Sequence, residues 1–135
     1  MNQVRPEISY KNKYYIPKHR YYELKHFCMQ YPIWQSAYYS LDGLSKRIID
    51  GSGIRGTGFS DPTGRTAVAR DFYQTRMKMV ERAAAQVEDG DYILKAVIYG
   101  LSYTYLSMNT NISISRDVYY EEYRKFFWIL NKIRE

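Results

Sequence analysis

Two histidines, His19 and His26, stand seven residues apart with Glu23 between them, a spacing that aligns both imidazoles on one side of a helix. Imidazole and carboxylate are metal ligands, but a stable site needs more of them than this stretch supplies, so the pair reads as surface or partly buried histidines. Cys28 is the single cysteine. It excludes an internal disulfide and any multi-thiolate metal site. Its place on the apolar spacing Tyr21, Leu24, Cys28, Tyr31 suits a buried structural thiol better than a nucleophile. Gly51-Ser52-Gly53-Ile54-Arg55-Gly56 is a literal G-x-G-x-x-G match, the pattern that cradles a pyrophosphate at a helix start. The preceding KRIID is too short and too charged for the strand such a fold needs, and no βαβ unit surrounds it. Glu121 and Glu122 are adjacent and point in different directions on a helix, so they do not make a catalytic carboxylate pair. These residues lead to the expectation of a non-enzymatic protein with no catalytic residue, metal or cofactor.

The chemistry that the composition favours is contact with a polyanion. Lys and Arg number 20 against 14 Asp and Glu, a net charge of +6 with a pI near 9.3. Residues 1–60 hold nine of the bases and four of the acids, so most of the excess lies there. In YKNKYYIPKHRYYELK, basic side chains alternate with tyrosines, a mixture that suits phosphates and stacked bases. Lys11, Lys13, Lys18 and Arg20 are the candidate contacts in this stretch. Sixteen tyrosines in 135 residues argue for an interface, because the side chain joins apolar area to a polar tip.

The elements that must carry these residues are helices. Residues 1–16 show no period and read as an extended basic arm, with residues 17–135 forming a single helical domain. Pro17 opens a helix that runs to about Gln30. A second, from Ile33 to Leu41, buries Trp34 and stops at Asp42-Gly43. Residues 50–60 concentrate glycine and form a flexible loop. Ser60 or Asp61 caps the longest helix, which reaches about Val87 with Val68, Phe72, Met77, Val80, Ala83 and Ala84 on a wide apolar stripe. Asp91 caps a helix from Tyr92 to Tyr99 that closes at Gly100, Ser102 caps a short one through Met108, and Ser113 or Ser115 caps the last. The last helix carries the seam Tyr119, Tyr123, Phe126, Leu130, Ile133. The fold class is all-α, with a long central helix. No run approaches the roughly 18 apolar residues of a membrane span, and the start lacks a signal-peptide core, so the expected location is the cytoplasm.

Residues 91–133, two short helices and one long one joined by Gly100-Leu101-Ser102 and a polar turn, have the shape of a helix-turn-helix. Gly100 to Tyr103, Ile114 to Arg116, Tyr120 and the Asp61-Pro62-Thr63 opening carry a likeness to a known group. Over residues 61–133 the chain resembles the RinA and ArpU group of phage late-gene transcription regulators, and more distantly region four of sigma factors. The resemblance implies a regulator that binds double-stranded DNA through its last helix, in the host cytoplasm. Arg116 and Arg124 would then reach bases or phosphates, with Ser115 and Tyr120 as phosphate or orienting contacts. Host RNA polymerase or another protein, and a second copy of the chain, are the further partners implied. Asp117, Glu121 and Glu122 depart from the pattern, because carboxylates are repelled by phosphates. They keep a second class in view, a protein-interaction module that inhibits host or defence machinery in the manner of an anti-CRISPR. A DNA-packaging subunit resembling a small terminase is the third.

Overall fold

A computed structural model describes the backbone of residues 11–49 and 62–135, with side chains described for 11–41 and 64–135. The expected loop at 50–60, the arm's first ten residues and the Ser60 or Asp61 cap lie outside the described residues. Among those described there are six helices and no strand: α1 Lys18–Met29, α2 Tyr31–Ile49, α3 Pro62–Ala85, α4 Gly90–Tyr99, α5 Tyr103–Asn109 and α6 Arg116–Ile133. The all-α class and the long α3 match the sequence expectation. Where the sequence suggests one helical domain, contacts separate two compact units: Tyr31–Lys78, and Met1–Gln30 together with Met79–Glu135.

In the Tyr31–Lys78 unit, α2 does not stop at Leu41 but runs through Asp42-Gly43 to Ile49. One glycine costs a helix about 1 kcal/mol relative to alanine, too little to end it when helix-compatible residues follow. Arg70 Nη2 donates to Tyr38 Oη at 3.1 Å, and its guanidinium lies 5.0 Å from that ring's centre. Trp34 and Thr66 are buried, whereas Val68 is 72% and Phe72 46% exposed. The continuous buried stripe expected along α3 is therefore confined to its later turns, at Met77, Val80, Ala83 and Ala84, with Val87 in the turn beyond.

The second unit holds the larger core. Tyr21, Leu24, Phe27 and Cys28 form the inner face of α1, which packs on α4 and α6. Tyr119, Tyr123, Phe126 and Leu130 of the expected seam are buried with Phe127 and Ile129, and Ile133 is partly exposed. The main partners of this seam are α1 and α4 rather than the long helix. Tyr21 and Tyr123 join their hydroxyls at 3.2 Å inside it.

The turn before α4 differs from expectation. Asp89, not Asp91, is the N-cap residue, and it adopts the left-handed region at φ 53°. Gly90 is already helical, and a Cβ there would stand 1.9 Å from the Ala84 carbonyl oxygen. Glycine serves close approach at this point, while aspartate, among the residues that tolerate left-handed backbone, makes the turn. Gly100 ends α4 at φ 68°, as expected. Leu101 returns its N–H to the Ala96 carbonyl at 2.9 Å.

Candidate nucleic-acid interface

Two serine caps build the α4, α5, α6 segment. Ser102 Oγ accepts from the Tyr105 N–H at 3.1 Å to open α5, and Ser115 Oγ accepts from the Val118 N–H at 3.3 Å to open α6. Of the two serines expected as the final cap, Ser115 is the one used. Tyr103 pins the connection between them, since its hydroxyl donates to the Ile114 carbonyl and its ring stacks on Tyr119 at 5.2 Å. Leu106 is buried beneath α5. The start of α6 is thereby fixed in place by local contacts, with Arg116, Asp117 and Val118 all exposed.

Arg116 extends along the helix toward Tyr120, its guanidinium 5.8 Å from the ring centre. Tyr120 is half-buried against Tyr119 and Tyr123, with ring centres 5.1 and 5.9 Å away. Arg124 pairs with Glu121 at 3.4 Å. Ser115 is committed to its cap, so only the outer part of its hydroxyl can serve a ligand.

The acids that depart from the expected DNA-reading pattern have internal uses. Glu121 Oε1 accepts from Asn12 Nδ2 at 3.4 Å while its other oxygen meets Arg124. Glu122 Oε2 accepts from the Glu88 N–H at 3.0 Å, in the turn between α3 and α4. Asp117 stands in the first turn of α6, where the positive end of the helix dipole favours an acid.

Residues 11–16, the last part of the expected extended arm, are instead a turn docked on α6. Tyr15 N–H bonds the Asn12 carbonyl at 3.0 Å, and Asn12 Oδ1 accepts from the Tyr14 N–H at 2.8 Å. Ile16 is buried, and Tyr14 meets Trp128 edge-on at 5.4 Å. The reason is visible in the residue types: two apolar side chains and an amide find partners that an extended arm would leave in water. Lys11 and Lys13 are exposed on this turn, with Lys13 Nζ 5.0 Å from the Tyr14 ring centre. The turn therefore meets α6 at Glu121 and Trp128, through Asn12 and Tyr14. Lys18 is exposed at the start of α1. Arg20 is engaged inside the unit: its Nε donates to Asn131 Oδ1 at 2.6 Å, and its guanidinium pairs with Glu23.

Sequence reasoning missed Asn12, Tyr14, Trp128 and Lys132 as one cluster. Lys132 Nζ lies 3.5 Å from the Trp128 ring centre, a one-turn spacing that was legible, whereas the contribution of the 11–15 turn was not.

His19 and His26 are exposed, and among the described residues no group of three or more His, Cys, Asp or Glu side chains converges. Cys28 is buried, and burial, opposed by the Arg134 charge, pushes its thiol up to about 12. No described helix is long and apolar enough to cross a membrane. Known protein families, curated proteins and solved structures give no match to this chain.

Proposed function

We propose that the chain is a non-enzymatic, phage-encoded transcription regulator that grips duplex DNA with the start of α6, acting in the host cytoplasm. One observation carries the reading. Glu121 and Glu122 are drawn into internal hydrogen bonds, leaving Arg116 and the 44% exposed Val118 at a serine-capped helix start. An arginine can hold guanine O6 and N7 together, and an apolar side chain suits a thymine methyl group. Both acids stay charged, Glu121 offset by its pair with Arg124, so the repulsion left at the helix start is that of Asp117 and Glu122, which Arg116, Lys11 and Lys13 must outweigh. Lys11 and Lys13 supply phosphate contacts beside the helix, which add affinity without reading sequence. The test is a gel-shift series against duplexes from the genomic region around its gene. Specific retention that Arg116→Ala weakens supports the reading, and no retention of any duplex at low salt contradicts it.

A protein-interaction module is the second reading, favoured by a different surface. Tyr99, Tyr105 and Met108 are exposed on α4 and α5, Met108 by 78%, and no Lys or Arg lies between Leu101 and Ser115. Aromatic and methionine side chains without like charge are the composition of a protein contact.

A further inference from the structure

We propose that the 11–15 turn and the outer face of α6 form a second nucleic-acid site, distinct from the helix start, that stacks an unpaired base on Trp128. Tyr14 stands edge-on to Trp128 at 5.4 Å. A lysine lies over each ring, Lys13 5.0 Å from the centre of Tyr14 and Lys132 3.5 Å from that of Trp128. Both rings are half-buried and both lysines exposed. The rings are therefore held in place while the ammonium groups are free to move.

This combination selects its partner. A base stacked on an aromatic ring contributes about two to three times as much as an exposed ammonium over the same ring. An incoming base displaces Lys132 from the indole at a net gain, and the freed ammonium then pairs with the phosphate that follows the base. Lys13, over the neighbouring Tyr14 ring, is available for a second phosphate. Paired bases hide their faces within the duplex stack, so the exchange requires a single strand. A protein acid would pair with the lysines but leave the indole without a stacking partner. The site does not depend on duplex recognition by Arg116, and the two succeed or fail separately.

Tryptophan fluorescence of the full chain tests the proposal. The other tryptophan, Trp34, is buried, so quenching by a ligand reports Trp128. A twelve-nucleotide oligothymidylate should quench the emission at low salt, and a duplex of equal length should do so much less. Trp128→Leu should raise the Kd for the oligonucleotide roughly five- to hundredfold, and Trp128→Phe should recover most of the loss. Lys13→Gln and Lys132→Gln should each lower the log-log salt slope by about 0.7. Thermal melts of each variant separate loss of binding from loss of fold, and Trp128→Phe retains the ring edge that Tyr14 needs. The proposal is overturned if the oligonucleotide gives no quenching, if the Leu variant binds unchanged, or if the duplex quenches as strongly. Quenching by phosphatidylserine vesicles but not by the oligonucleotide would overturn it in favour of a lipid surface. Loss of duplex retention in Arg116→Ala with quenching intact leaves this site standing by itself.

Discussion

Glu121 holds two neighbours with one carboxylate, Asn12 on one oxygen and Arg124 on the other. Both pairs are at 3.4 Å and partly exposed, so they add little stability, about 0–1 kcal/mol. Their effect is on charge, because Arg124 cannot serve a phosphate while Glu121 holds it. Glu121→Gln should leave the melting temperature nearly unchanged and strengthen duplex binding, with the log-log salt slope steeper by about 0.9 for the one cation released. Weaker binding in a duplex titration of this variant would contradict that role. Titration of the buried core is a second property of single residues. Burial pushes Cys28 from its ordinary 9.0 up to about 12, and raises Tyr119 and Tyr123 above 10.0, with neighbouring tyrosines adding to the rise. Each folded pKa lies above its unfolded value, so the folded chain keeps protons that the unfolded chain releases in alkali, and unfolding gains with pH. Stability should be insensitive to these groups below about pH 9 and fall from there toward pH 12. Urea midpoints measured between pH 7 and 11 check this, and Cys28→Ala should delay the onset to about pH 10, where the tyrosines take over.

At the scale of the helices, packing decides which signals in the sequence are obeyed. Leu130 is fully buried on the seam that meets α1 and α4, and Leu130→Ala should cost roughly 2–5 kcal/mol in a denaturant melt. Gly90→Ala should be destabilising although helix propensity favours alanine, because the added carbon would meet the Ala84 carbonyl at 1.9 Å. An overpacked site of this kind costs about 1–3 kcal/mol, and an unchanged melt would show that the turn relaxes freely. These two positions also mark how far the sequence could be read. The seam of α6, the caps Ser102 and Ser115 and the stop at Gly100 were legible because each depends on neighbours within about four residues. The role of Gly90 was not legible, since its reason is a carbonyl six residues earlier in a turn whose path is not a sequence property. The end of α2 was misplaced because Asp42-Gly43 is a turn signal worth about 1 kcal/mol that the surrounding helix overrides. The docked 11–15 turn was invisible for the same physical cause at longer range: Asn12 and Glu121 are 109 residues apart. Arg116 and Val118 were legible as parts of a helix start, but not the fate of Glu121 and Glu122, which depends on the partners that folding brings to them.

Across the whole molecule the positive charge is uneven, and pairing decides which part of it a partner feels. Of the four cations read from the sequence as one basic patch, Arg20 bonds Asn131 and pairs with Glu23, whereas Lys11, Lys13 and Lys18 are exposed. If duplex DNA is the ligand, changing the three lysines to Gln should each lower the salt slope by up to about 0.9, and Arg20→Gln should change it least. Arg116→Ala should act differently from all of them, weakening specific binding by about 1–3 kcal/mol and relaxing preference at one base while leaving non-specific binding nearly intact. Met108 and Tyr105 lie on α5, which carries no Lys or Arg, and their replacement by Ser should leave every DNA measurement unchanged. If the partner is a protein, the pattern reverses: those two substitutions reduce association, because exposed aromatic and methionine side chains carry such interfaces, and the lysine variants alter mainly its rate and salt dependence. Anisotropy titrations of the whole set with specific and scrambled duplexes separate the two readings, since no one substitution is expected to act strongly in both. A chain whose duplex affinity is the same with and without Arg116 would have its DNA contact, if any, in the lysines alone, and α6 would then be a scaffold for the 11–15 turn.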